Sequence, residues 1–446
     1  MSDAYARTAA VFDMTVAKSR EEHARLEDFY AFLPDHKFIY IPTGDLWPAA
    51  SVNGKVKVEP EHPETSQRMK PADYLDRFRA VDQMTWHPAF PQIIKDKVVQ
   101  GGGWMTHSGS TVFNHYRPAS SIGGDPLGAE RWRDHLAFIY PKDADHIERW
   151  LAFKVQRPGE KINHALVLGG EPGIGKDSIL EPAKRAVGGW NWTEISPPQM
   201  LGQFTGFFKS VILRVNEARD LGEIDRFAFY DHSKTLIAAP PDVLRCNEKH
   251  VREYAVFNVV GVIITSNHLT DGLYLPPDDR RHFVAWSGIT RETFSPAYWT
   301  EYWQWLEDRG ASDVGAYLRS MDLSGFDPKA PPPRTPAFDA IVQSNQSPVD
   351  SELSDVLEAL NWPEATTLGH IVNAACARNL DVAEELRDRR SRRSTPHKME
   401  RVGYVPVRNP DADDGQWKVD GKRQVVYGKK GLTLAQQLAG AKALCR

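Results

Sequence analysis

One nine-residue segment constrains this chain more than any other: Gly170-Glu171-Pro172-Gly173-Ile174-Gly175-Lys176-Asp177-Ser178. It stands between a short apolar run, Ala165–Leu168, and a helical pattern over Lys176–Ala186. That is the setting a phosphate-binding loop requires, a glycine-rich turn leading from a strand into a helix. The glycines let backbone N–H groups turn inward around phosphate oxygens, the helix start adds partial positive charge, and Lys176 adds a full one. Gly170, Glu171, Pro172, Gly173, Ile174, Gly175, Lys176, Asp177 and Ser178 are therefore the expected nucleotide-binding residues. Asp177 occupies the position where Ser or Thr usually ligates magnesium. A carboxylate is also a hard-oxygen ligand, and Ser178 is its neighbour.

Other apolar runs place this loop in an α/β fold. Val211–Val215, Val259–Ile264 and His282–Trp286 lack the alternation of half-exposed strands. They fit a parallel sheet covered on both faces, with helices between. The first of these runs ends in Asn216-Glu217, so Glu217 is placed to orient an attacking water and Asn216 to help hold the metal. Val262–Asn267 ends in an amide, Asn267, within reach of a γ-phosphate. Arg280 and Arg281 stand at the mouth of the last strand, where a guanidinium could stabilise the transferring phosphoryl group of a neighbouring subunit. Between Val211–Val215 and Val259–Ile264, Pro240–Phe257 predicts a hairpin. Lys249, His250 and Arg252 at its tip could grip a phosphate backbone.

Composition narrows the class. In 446 residues, 55 Lys and Arg oppose 59 Asp and Glu, for a net charge of −4. The charge is uneven: Arg387–Lys430 holds 13 basic against 6 acidic residues, a local +7 on an acidic remainder. A basic segment on an acidic body fits one anionic partner at one place. Hydrophobic residues at 41% exclude global disorder, and no apolar run is long enough to span a bilayer. Three scattered cysteines, Cys246, Cys376 and Cys445, exclude a disulfide scaffold and suit a cytoplasmic protein. The division expected is a small mixed α+β domain over 1–125, an ATPase domain over 126–310, a proline-rich spacer over 311–350 and a basic module over 351–446. In that module, helix, helix, basic helix over Arg387–Arg401 and a two-stranded hairpin follow the order of a winged helix. The hairpin strands expected are Tyr404–Arg408 and Gln424–Tyr427, about a turn at Asp413-Asp414-Gly415. Arg389, Arg392 and Arg393 share one face of the basic helix and are its candidate DNA contacts.

The order P-loop, strand-Glu, basic hairpin, strand-Asn, Arg-Arg resembles superfamily 3 helicases of viruses. More closely, it resembles the helicase-like domain of phage and prophage primase-helicase proteins. Gly170–Ser178, Asn216-Glu217, Thr265-Ser266-Asn267 and Asp279-Arg280-Arg281 carry the likeness. Phe113–Pro118, Trp150-Leu151-Ala152 with Gln156-Arg157-Pro158, Phe326–Pro333 and Asn409–Trp417 extend it. Gly-Lys-Asp and Asn-Glu are common in that group. The resemblance implies an AAA+-like fold, ATP and Mg²⁺, and a homo-hexameric ring on single-stranded and duplex DNA. It also implies a primase on a separate chain, because the first 125 residues show no paired-carboxylate motif. The alternative is an ATP-controlled replication initiator or loader that binds DNA without unwinding it.

Overall fold

The computed structural model describes residues 24–120, 123–216, 226–269, 273–344, 348–388 and 395–445. The chain forms two compact units, Met1–Ile341 and Val342–Arg446. Among the described residues no helix is long and apolar enough to cross a membrane.

The centre of the first unit is a five-stranded sheet. Its strands, in chain order, are β1 (Ala165–Gly169), β2 (Trp192–Ile195), β3 (Ile212–Val215), β4 (Gly261–Ser266) and β5 (His282–Trp286). Their order across the sheet is β5-β1-β4-β3-β2, and every pair is parallel. The registers Leu166↔Ile263 and Leu213↔Val262 bring three of the apolar runs side by side. All residues of β1 and β4 are buried, as a sheet covered on both faces demands. β2 was not anticipated from the sequence. It is an edge strand carrying Thr193 and Glu194, so no unbroken apolar run marks it. Helices Ala144–Gln156, Lys176–Val187 and Ala311–Ser320 pack with one another beside the sheet. Trp132 and Trp150 are fully buried, and their indole N–H groups donate to Ile179 O and His164 O.

Residues 24–125 belong to this same unit. They form a four-stranded sheet over Phe29, Phe38, Val52 and Leu75, and a three-stranded sheet led by the long strand Gly103–Asn114. The hairpin expected over 240–257 is present: Val243–Cys246 pairs antiparallel with Tyr254–Phe257. It does not stand alone. Thr85 Oγ1 donates to Ala255 O at 2.9 Å, and Trp104 stacks on Phe257.

The segment 311–350 differs from the expected spacer. Ala311–Ser320 is a helix with Val314 and Leu318 fully buried. Phe326 packs on Phe153, and Pro328 O accepts from Asn163 N at 2.8 Å. Thr335 is buried; its Oγ1 donates to Val284 O at 2.6 Å and accepts from Phe338 N at 3.1 Å. The prolines mask a strap anchored to the helix Ala144–Gln156 through Phe326 and to β5 through Thr335, and the boundary between units falls after Ile341 rather than within the prolines.

In the second unit, Ala365–Thr367, Val426–Lys429 and Tyr404–Val407 form an antiparallel sheet with Val426–Lys429 at its centre. Helices Pro348–Ala359, Leu368–Cys376, Val382–Arg387 and Thr395–Arg401 precede the last two strands. The expected turn at Asp413-Asp414-Gly415 is displaced. A separate hairpin, Trp417–Val419 with Lys422–Gln424, reverses at Asp420-Gly421, both at positive φ. Asp-Gly is the usual pair for such a two-residue reversal. Of the basic stretch, Thr395–Arg401 is helical, while Arg389, Arg392 and Arg393 lie outside the described residues.

Thr335→Val keeps the shape of the side chain and leaves Val284 O and Phe338 N without a partner. It should lower the stability of the first unit by about 1–3 kcal/mol in urea unfolding. An unchanged midpoint would mean that the strap contributes nothing there.

Candidate nucleotide site

The P-loop leaves β1 at its carboxyl end. Gly170, Gly173 and Gly175 all have positive φ. Gly175 has a second requirement, because a Cβ there would stand 2.6 Å from the Trp299 ring and 2.8 Å from His135 Nε2. The helix Lys176–Val187 starts immediately after it, with its first amides facing the loop.

Lys176 is the hub. Its Nζ donates to Gly170 O at 2.6 Å, Glu171 O at 2.9 Å and Asn267 Oδ1 at 2.9 Å. Asn267 follows β4 and Lys176 follows β1, and these strands are neighbours, so the sheet brings the two residues together. A cleft of about 290 Å³ opens here, lined by Gly173, Lys176, Asp177, Arg214, Asn267 and Trp299 among others. An ammonium, a row of loop amides and a helix start facing one cleft can hold a polyanion such as a triphosphate.

The Walker B side holds more charge than the sequence indicated. Asp177 is largely exposed but paired with Arg214, whose side chain is mostly buried on β3. The Arg214 Nε is buried without a hydrogen-bond partner among the described residues. Asn216 Nδ2 donates to Glu194 Oε2 at 3.2 Å, while Asn216 Oδ1 is buried with no partner among the described residues. Burial alone would raise the Glu194 carboxyl, but Asn216, Lys184 and Arg214 together hold it below the usual range. Glu217 lies outside the described residues.

Ser178 faces away from the role expected of it. Its Oγ donates to Gly175 O at 2.7 Å and lies 2.9 Å from His135 Nε2. His135 Nδ1 lies 2.7 Å from Tyr298 OH. With the serine proton on Gly175 O, the ring donates from Nε2, and a neutral ring accepts from Tyr298 OH at Nδ1. Burial and the nearby Arg131 push His135 down to about 4, in agreement.

Arg280 and Arg281 are not brought to this cleft. They precede β5, and Ala165 N at the start of β1 donates to Arg281 O at 2.8 Å. They therefore lie at the amino edge of the sheet, a strand length of about 16 Å from the P-loop edge. Arg280 is exposed, and Arg281 is half-buried with its Nε unpartnered among the described residues. Beside them Asp279 accepts from the backbone of Arg281 and His282, from the His282 ring and from Tyr230 OH. Against its burial, these contacts hold Asp279 at about 2. Lys249, His250 and Arg252 are exposed at the hairpin tip.

Arg214, Glu194, His135, Tyr298, Trp299 and Trp303 escaped the sequence reading. Arg214 carried a signal, a charge interrupting the apolar run of β3. The aromatic residues lie more than a hundred positions from the P-loop, and only the fold joins them to it.

A family model described as a family of unknown function (DUF5906) matches residues 168–281. No curated protein matches the chain. Among solved structures, the apo C-terminal region of NrS-1 (305–718) matches with 16% identity and a TM-score of 0.56, covering 86% of this chain and 91% of that one. Another form of that region matches with 18% identity and a TM-score of 0.54, over 75% and 76%. At such identities the likeness is one of fold, and it spans most of both chains.

Burial holds His135 and His146 at about 4, and His164 at about 3, against 6.5 when unfolded. Between those values the unfolded chain binds more protons, so stability is complete above pH 6.5 and falls as pH drops through the window. The urea midpoint of the full chain should decline from pH 7 to pH 5, before most carboxylates titrate. Equal midpoints at the two values would contradict the buried, neutral rings.

Proposed function

We propose that this chain is an ATP-dependent DNA helicase or translocase of phage-type replication, acting as a ring with its primase on a separate chain. The observation that carries the reading is the Lys176 Nζ, held by the loop carbonyls and Asn267 at the shared carboxyl edge of β1 and β4. A glycine-rich turn between strand and helix has other uses. A turn whose lysine meets an amide from the neighbouring strand has the parts of a phosphate-sensing site.

In this reading Lys176 and the loop amides bind the β- and γ-phosphates, and Asn267 reports whether the γ-phosphate is present. Glu217 orients the attacking water. Magnesium fits the donor set: the Asp177 carboxylate lines the cleft and Asn216 Oδ1, with no partner among the described residues, is a second hard oxygen, with Glu217 as a further candidate and Ser178 only if its hydroxyl leaves Gly175 O and His135. The ion would neutralise charge developing on the phosphoryl oxygens. Arg214 already neutralises Asp177, so metal and guanidinium would share that carboxylate. Arg281, supported by Arg280, would serve the site of an adjacent subunit, since its own is on the far edge of the sheet. That placement supports a ring, which we take as a homo-hexamer. Lys249, His250 and Arg252 would follow single-stranded DNA. The antiparallel order in the second unit, with its last strand central, supports a winged helix that meets duplex DNA or a partner through Arg389, Arg392 and Arg393.

Lys176→Ala should abolish ATP hydrolysis with an unchanged circular dichroism spectrum. Arg281→Ala and Glu217→Gln should each be inactive, and mixing them should partly restore hydrolysis through interfaces that hold one intact residue of each kind. Full activity of a monomeric wild-type protein in sizing experiments would rule out the shared site.

A chain ending at Ile341 should keep ATP hydrolysis and lose duplex affinity. Its salt dependence should flatten by about 0.9 in log–log slope for each phosphate contact removed. Equal affinities and slopes for the two chains at 50 and 200 mM salt would assign the second unit to a protein partner instead.

A further inference from the structure

The cleft does not end at the phosphate loop. β1 lies between β5 on one side and β4 on the other, with β3 beyond β4. The polar groups of the cleft, Asn267 and Arg214, belong to the β4 and β3 side. Its opposite wall is the helix Pro296–Trp305, which follows β5 and contributes Trp299 and Trp303. These residues are four apart and so share one helix face. The Trp299 ring lies directly on the loop, 2.6 Å from where a Cβ on Gly175 would stand. It is fixed from behind by the rings of His135, Phe294 and Tyr298, with centroids 5.5, 5.1 and 5.4 Å away. Trp303 keeps 38% of its surface exposed.

We propose that Trp299 and Trp303 form the platform on which the base of the bound nucleotide stacks, and that the site accepts purines with little discrimination between them. The inference rests on the nucleotide-site reading. With the triphosphate tail directed to Lys176 and Asn267, the two indoles are the apolar surface of the cleft left to the nucleoside end. An indole with an open face beside a phosphate loop is a costly surface in the empty state. A stacked base covers it, and every base has a π-face to offer.

The tolerance follows from the rest of the lining. Hydrogen bonds to a base edge need a free donor or acceptor. The Ser178 hydroxyl is committed to Gly175 O and His135, and the Asp177 carboxylate to Arg214. Pro172 and Gly173 add no polar side chain. Ring area is what remains to be read, so ATP and GTP should bind within a few-fold of one another, with CTP and UTP weaker.

The test compares calorimetric binding of ATP with that of inorganic tripolyphosphate, which has no base, to the full-length protein. Trp303→Ala should weaken ATP roughly 5- to 150-fold and leave tripolyphosphate within about twofold. Trp303→Phe should recover most of the loss, and it also guards against misfolding of the alanine variant. Equal losses for both ligands would make the tryptophan a structural support for the loop, and an unchanged ATP affinity would remove the base from this wall; either overturns the proposal. Wild-type protein that binds tripolyphosphate but discriminates sharply between ATP and GTP overturns the tolerance. Wild-type protein that binds neither ligand overturns the nucleotide-site reading, and the platform with it.

Discussion

The structure of the site depends on the adjacency of β1 and β4. The P-loop leaves one strand, Asn267 leaves the other, and a parallel register of Leu166 with Ile263 sets both departures at the same edge. Only with that register do the Lys176 ammonium and the Asn267 amide meet at 2.9 Å. Both strands are buried throughout, so a slip of either would exchange every side chain between two packed faces and separate the polar pair at once. The packing that makes the sheet stable is thus the same packing that positions the charge.

A parallel sheet also has two chemically different edges. At the carboxyl edge, strand ends and a helix start leave amides and side chains to bind an anion. At the amino edge, Asp279 gathers the His282 ring, two backbone N–H groups and the Tyr230 hydroxyl, and so fixes the turn that carries Arg280 and Arg281. The turn that carries the arginines is held by a buried carboxylate and stands a strand length from the P-loop edge. One sheet thus fixes a cationic turn at one edge and an anion-binding geometry at the other.

How much of this was legible follows from how local each signal is. The P-loop, four of the five strands, the hairpin and the strand-ending Asn267 are written in contiguous residues, and they appear where the sequence placed them. β2 was hidden because an edge strand with Thr193 and Glu194 has no unbroken apolar run. The proline-rich segment misled because proline reports backbone stiffness and says nothing about docking. Its anchors, Phe326 and Thr335, are single residues whose partners, Phe153 and Val284, lie far away in sequence. The Asp420-Gly421 reversal was legible, but the Asp413-Asp414-Gly415 signal lay nearby and carried the same chemistry. Arg214 with Asp177, and Tyr298 with His135, join positions 37 and 163 residues apart. No periodicity records such pairs.

The hairpin shows how a local motif acquires its setting. Taken alone, Val243–Cys246 and Tyr254–Phe257 make a two-stranded ribbon, which is marginal in water. Here one face leans on residues 85–115 through Thr85, Trp104 and His115. Its tip is tied to the segment entering β3. Glu248 accepts from Lys209 Nζ at 2.9 Å and from Tyr254 OH at 2.6 Å, and Asn247 exchanges two hydrogen bonds with Thr205. Lys209 lies three residues before Ile212, the first residue of β3, and that strand carries Arg214 at the cleft. The exposed Lys249, His250 and Arg252 are therefore carried by a ribbon that is clamped on one side by residues 24–125 and on the other by the strand leading to the nucleotide site. A small N-terminal region with no catalytic constellation of its own gains a physical purpose from this arrangement. It supplies the packing without which the ribbon could not hold the like charges of Lys249 and Arg252 in one place.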